Sequence, residues 1–145
     1  MASTPKPDAF VYIFLFLQVE SGLRSSRYIE NICICTDMFS NQLVALISPN
    51  SKVLRELGKS LGKGHMSKAE MCADEEITQI ILDSIKQTGE RAKLKDKEIP
   101  ARVTLVKEEW LPSNNLLTAA FKLKRKNVYE FYREDISRMF ASLKN

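Results

Sequence analysis

The chain is poor in the residues from which most compact active sites are made. It has one histidine and three cysteines in 145 residues. There is no CxxC pair, so a zinc site of the usual Cys/His spacing is excluded. Cys33, Cys35 and Cys72 have no histidine or cation cluster beside them in sequence to activate a thiol, and they read as buried structural cysteines. An odd number of unpaired cysteines fits a reducing, intracellular compartment. Long apolar runs are also missing. The longest, Phe10–Leu17, has eight residues, against the roughly 20 that a membrane-spanning helix requires. As a signal-peptide core it has Lys6 ahead of it, but Val19-Glu-Ser21 is a poor cleavage context. The run is expected to be a buried strand or an exposed, sticky terminus.

No phosphate-binding glycine loop is present. Gly58-Lys-Ser-Leu-Gly-Lys-Gly64 resembles one at first sight. It has three residues between Gly58 and Gly62 where a Walker loop has four, and Gly64 stands where the hydroxyl belongs. It reads as a flexible basic connector over Gly58–Ser67. His65 within it reads as exposed and idle. No Ser-His-Asp set and no paired-carboxylate site can be assembled. The formal net charge of +4 permits an anionic ligand or surface without demanding nucleic acid, and no nucleic-acid-binding motif is present.

What is present is enough for one core. The chain is 44% hydrophobic and 28% charged, values of an ordinary globular domain. Asn31–Thr36 and Leu43–Ser48 are β-branched, apolar runs and predict a strand pair, with Cys33 and Cys35 pointing the same way. Ser51 is placed to cap a short helix over Lys52–Lys59. Asp74 starts the clearest helix, with Ile77, Ile80, Ile81, Ile85 and Thr88 on one face; Gly89 weakens its end. Pro100 forbids helix, and Arg102–Val106 reads as a third strand. Trp110 is expected to anchor the loop that follows. The final helix is predicted over Val128–Leu143, capped by Asn127, with Val128, Tyr132, Ile136, Met139 and Leu143 buried. The fold class is therefore α+β: a small, mostly antiparallel sheet of about three strands packed with two long amphipathic helices.

The segment Leu116-Leu-Thr-Ala-Ala-Phe-Lys-Leu-Lys-Arg-Lys126 carries the most chemical information. A neutral lead-in ends in four cations within five residues: Lys122, Lys124, Arg125 and Lys126. Cations just ahead of a helix N-terminus oppose its dipole, so helix stability does not account for them. The residues alone leave two readings open, a solvated charge run and a site facing phosphate or carboxylate.

This segment, together with Tyr28-Ile-Glu-Asn-Ile-Cys33, Val44-Ala-Leu-Ile-Ser-Pro-Asn50, Lys97-Glu-Ile-Pro100 and Glu109-Trp-Leu-Pro112, resembles the C-terminal domain of the long-chain fatty acyl-CoA synthetases, within the adenylate-forming, AMP-binding superfamily. The likeness runs from Val19 to Leu143. Two departures stand out: Lys97 where the family has Phe, and Asn114-Asn115 where it has Thr-Gly. Asn tolerates the left-handed backbone that such a turn requires.

The resemblance implies a division into residues 1–18, unlike the family, and residues 19–145, the synthetase C-terminal lid domain. It implies a ligase that converts ATP, fatty acid and CoA to acyl-CoA, AMP and pyrophosphate. Lys122 matches the adenylation lysine; Lys124, Arg125 and Lys126 are weaker candidates for facing substrate or phosphate. ATP, Mg²⁺ and CoA belong to the complete enzyme, and none is expected to bind this chain tightly by itself. The implied partner is the family's large N-terminal domain, whose sequence is not in this chain, so the chain alone is expected to be incompetent. No metal site and no nucleic-acid partner are expected. The alternative is a non-catalytic module that docks on a synthetase large domain, or on an anionic membrane surface through Lys122–Lys126 and Phe10–Leu17. The expected location is cytoplasmic, at the cytosolic face of the endoplasmic reticulum or another organelle membrane. Chain-length preference is not readable.

Overall fold

The computed structural model describes residues 9–37 and 40–144, with side chains from residue 14 onward. The first eight residues, whose two prolines and small polar side chains predict a loose start, lie outside this range. The elements run α1 (Ala9–Leu23), β1 (Ile29–Cys35), β2 (Val44–Pro49), α2 (Ser51–Ser60), α3 (Lys68–Ala73), α4 (Glu75–Arg91), β3 (Arg102–Leu105), α5 (Arg125–Phe131) and α6 (Arg133–Ser142). The strand order is β1-β2-β3. β1 and β2 pair antiparallel, with Ile32 opposite Ile47 and Ile34 opposite Ala45. β3 joins β2 in parallel, Val44 opposite Arg102 and Ile47 opposite Leu105. The sheet is thus α+β as expected but mixed, because β2 returns to β3 through α2, α3 and α4, the kind of helical crossover that parallel neighbours require.

Alternation along the strands divides the core in two. Ile32, Ile34, Ala45, Ile47, Val103 and Leu105 face one side, where Val19 and Leu23 of α1 and Ile77, Ile81 and Ile85 of α4 cover them. Cys33, Cys35, Val44 and Leu46 face the other, against Trp110, Val128, Tyr132, Met139 and Phe140. Each of these buried strand residues faces one core or the other according to its parity. The central strand β2 and the second half of β1, Ile32–Cys35, are covered on both faces, which is why they read as continuous apolar runs.

Several local expectations are corrected. Phe10–Leu17 belongs to a helix. A strand would place Phe16, Gln18 and Glu20 on one face. The helix instead brings Phe16, Val19, Glu20 and Leu23 together, all buried, while Phe14 and Leu17 stay 67% and 56% exposed. The helix passes through the Gln18–Val19 junction without a break. Asn50, not Ser51, caps α2, accepting the Val53 N–H. The connector after Gly58 is more structured than its glycines suggest. Gly58 is a buried residue of α2, and the turn that follows leads to α3, whose Ser67–Glu70 capping box was not foreseen. Lys63 is tied to Asp74 at 2.8 Å and to Glu76 at 2.9 Å. Gly89 lies buried within α4, too close to Ile99 for a side chain of its own.

The last helix begins earlier than predicted and is interrupted. Tyr132, with φ −107° and ψ 25°, separates α5 from α6. The hydroxyl of Tyr132 accepts from Trp110 Nε1 at 2.9 Å and donates to Glu108 at 3.0 Å. Trp110 is fully buried, as an anchor should be. Asn127 does not cap the helix: its side chain donates to the Asn115 carbonyl at 2.8 Å.

Candidate functional site

The path to the basic cluster starts at Trp110. From there a 3₁₀ turn, Pro112–Asn114, is closed by Asn115 in the left-handed conformation, φ 68°, as its side chain permits. Leu116 and Leu117 are buried beside Trp110. Leu117 pairs antiparallel with Leu123, and the Lys124 N–H donates to the Leu116 carbonyl at 2.9 Å. Between them the chain reverses. The Thr118 N–H donates to the Lys122 carbonyl at 2.7 Å and the Phe121 N–H to the Thr118 carbonyl at 2.8 Å. The Lys122 N–H donates to Thr118 Oγ1 at 3.1 Å. Lys122 is therefore held in its backbone at the mouth of a small hairpin while its side chain is exposed.

The four cations have different surroundings. Lys124 donates to Asn115 Oδ1 at 2.7 Å. Arg125 makes two bonds of 2.9 Å to the Glu20 carboxylate, a third of 3.1 Å to the Ile34 carbonyl, and lies 5.2 Å over the Phe16 ring. Burial works against its charge, but the hydrogen bonds and negative charge of Glu20 outweigh burial and keep the guanidinium ionised. Lys122 and Lys126 are exposed, and neither side chain has a hydrogen-bond or ion-pair partner among the described residues. The cluster thus sorts into an anchor, Arg125, a strut, Lys124, and two available charges.

Glu20 escaped the sequence reading. The available signal was a carboxylate directly after an uncharged apolar segment, where burial demands a cation. The other candidates behave as structure. Cys33, Cys35 and Cys72 are free thiols, all buried. Hydrogen bonding with Cys35 and burial hold the Cys33 thiol far above its ordinary range, and burial pushes Cys72 up to about 11. His65 is exposed. A groove of about 830 Å³ runs along the outer side of α5 and α6, between Lys126, Tyr129, Arg133 and Ile136. Lys122 is not part of its lining. Among the described residues no group of three or more His, Cys, Asp or Glu converges to hold a metal, and no helix is long and apolar enough to cross a membrane.

No protein-family model matches the chain. Its fold is that of a portion of an adenylation domain. The A domain of a carboxylic acid reductase from Segniliparus rugosus, solved in complex with AMP and a co-purified carboxylic acid, superposes with a TM-score of 0.73 at 19% identity, over 88% of this chain and 18% of that one. At sequence level, long chain acyl-CoA synthetase 8 of Arabidopsis thaliana is 33% identical over 124 residues, 86% of this chain and 17% of that protein. Fatty acyl-CoA synthetase B of Dictyostelium discoideum is 29% identical over 126 residues, 87% of this chain and 19% of that protein. The chain is a homologue of the C-terminal part of the long-chain acyl-CoA synthetases. It spans less than a fifth of the length of the curated relatives it matches.

Proposed function

We propose that this chain is the C-terminal lid domain of a long-chain fatty acid–CoA ligase and that Lys122 supplies the positive charge for the adenylation step. The observation that supports this best is the contrast within the cluster. Arg125 and Lys124 are bonded internally, whereas Lys122 sits on a hydrogen-bonded hairpin with a free ammonium. When a carboxylate attacks the α-phosphate of ATP, negative charge builds on the phosphoryl oxygens and on the departing pyrophosphate. A lysine delivered there by a rigid loop stabilises that charge without reorganising at the moment of reaction. Lys126 has the exposure to serve as a second, steering charge.

ATP, Mg²⁺ and CoA are the cofactors and substrates of the complete ligase. No cluster of the described residues is suited to Mg²⁺, so its ligands are assigned to the large N-terminal domain, which is the proposed partner. One lysine on a small domain cannot bind ATP, align a carboxylate and exclude water. The lid domain is assigned to residues 19–145, with Phe16 of the preceding segment packed into its core, and the chain by itself is inactive. The site of action is cytoplasmic, against an organelle membrane. The test is acyl-CoA formation from palmitate, ATP, Mg²⁺ and CoA, followed by mass spectrometry, with the chain alone and with a separately prepared synthetase large domain. Product only in the mixture is expected; product from the chain alone would overturn the division of labour.

A second reading, a module binding an anionic membrane surface, is favoured by one observation: Phe14 and Leu17 project from α1 into solvent. Salt-sensitive binding to anionic vesicles, lost on neutralising Lys122 and Lys126, would support it.

A further inference from the structure

We propose that Phe121 is the docking contact that seats the Lys122 hairpin in an apolar socket of the synthetase large domain, next to the anion that Lys122 neutralises. This rests on the lid-domain reading above.

The turn from Thr118 to Lys122 is a three-residue hairpin loop, closed by the Thr118–Lys122 and Phe121–Thr118 backbone bonds. Loops of this kind end in a residue with left-handed backbone, a position that glycine fills at no steric cost and asparagine at little. Here the position holds Phe121, at φ 61°. A bulky side chain with that backbone is a strained choice. The ring gains nothing from the fold in return. It is 67% exposed, it belongs to neither core cluster, and it makes no ring or cation contact among the described residues.

Phe121 therefore goes against both turn chemistry and solvation, one residue from the candidate catalytic lysine. Strain and exposure that the fold does not repay are expected where a contact outside the domain repays them. The neighbouring tip residues Ala119 and Ala120 are small and exposed, so the ring is the one large apolar group on the tip. An aromatic ring beside a free ammonium suits an apolar wall flanking a carboxylate or phosphate. The occupant follows from length. The matched relatives are more than five times as long as the matched segment, and the part of them beyond it supplies the surface.

Three variants test this: Phe121→Gly, Phe121→Asn and Phe121→Leu. In the isolated chain, Phe121→Gly is expected to raise the melting temperature by roughly 2–6 °C, because it removes the left-handed strain and no packing. A fall in melting temperature would mean that the ring serves the fold, and would overturn the proposal. With a separately prepared large domain, pyrophosphate release is measured as a function of chain concentration. Phe121→Gly and Phe121→Asn are expected to raise the half-saturating concentration by about tenfold, with the limiting rate nearly kept, and Phe121→Leu to restore most of the affinity. Lys122→Ala is expected to do the converse, losing the limiting rate. If the unmodified chain supports turnover and Phe121→Gly saturates like it, the docking role is wrong and the lid-domain reading stands. If the unmodified chain supports none, the lid-domain reading fails and the docking role fails with it. If Phe121→Gly instead abolishes binding to anionic vesicles, the ring serves a membrane and the proposal is overturned.

Discussion

Glu20 and Arg125, 105 positions apart in sequence, meet through two hydrogen bonds of 2.9 Å. Together they also close the outer edge of β1. The Ile34 N–H donates to Glu20 at 2.8 Å, and the Ile34 carbonyl accepts from Arg125 and from the Tyr129 hydroxyl. The pair thus ties α1, β1 and the start of α5 to one point, three residues beyond Lys122.

Removing one partner leaves the other charged and buried. Glu20→Ala is expected to destabilise the chain by about 3–5 kcal/mol. Glu20→Gln keeps an acceptor for the Ile34 N–H and is expected to cost less. Urea unfolding followed by the fluorescence of Trp110, the sole tryptophan, measures both. An effect under about 1 kcal/mol for Glu20→Ala would mean that the pair is solvated in solution.

Two glycines on helices separate helix propensity from packing. A Cβ on Gly22 of α1 would meet Ala92 and Leu94 at 3.5 Å, ordinary contact distance. Gly22→Ala is expected to stabilise by about 0.5–1 kcal/mol, the propensity gain. A Cβ on Gly89 of α4 would lie 2.9 Å from Ile99 Cγ1 and 3.4 Å from Leu23 Cδ2. Gly89→Ala is expected to destabilise by about 1–2 kcal/mol in spite of the same gain. Matched denaturation curves should move in opposite directions.

Stability should fall at both ends of the pH scale. The ammonium of Lys63 and the Ile77 N–H hold Asp74 below the usual carboxylate range, and the Ser67 backbone N–H does the same for Glu70. A carboxylate with a lowered folded pKa stabilises fully above its unfolded value, about 4, and the contribution is lost as pH falls through the folded value. Lys63 is shifted upward by Asp74 and Glu76, and Cys72 is raised to about 11 by burial. Their contributions are complete below their unfolded values and disappear as pH rises through the folded ones. The urea midpoint is expected to be flat from about pH 5 to 8 and to drop on either side, with Asp74→Asn flattening the acid limb. An unchanged acid limb in Asp74→Asn would remove Lys63–Asp74 from the account.

The parts of the fold that were legible are those where side chains report burial directly. Cys33, Ile34, Val44 and Ile47 mark strands by composition. Ile77, Ile81 and Ile85 mark α4 by spacing. Phe10–Leu17 was misread because a run that is apolar on every side carries no period. The parallel pairing of β3 and the break at Tyr132 depend on tertiary partners, Val44 in one case and Trp110 with Glu108 in the other, which no local pattern contains. In the candidate site, the exposed cation at Lys122 was visible from its place ahead of a helix. The conversion of Arg125 into an anchor was not, because Glu20 lies at the other end of the chain. The left-handed backbone at Phe121 was hidden because the sequence offers neither glycine nor asparagine there.

The most direct test separates the two half-reactions. The chain, with and without Lys122→Ala, is combined with a synthetase large domain. Acyl-adenylate formation from palmitate and ATP is followed by pyrophosphate release, and acyl-CoA formation is followed separately from supplied palmitoyl-adenylate and CoA. Lys122→Ala is expected to leave the melting temperature unchanged, to slow the first reaction by roughly 10²–10³-fold and to spare the second. Equal rates of adenylate formation with and without the Lys122 side chain would contradict its assignment as the adenylation lysine.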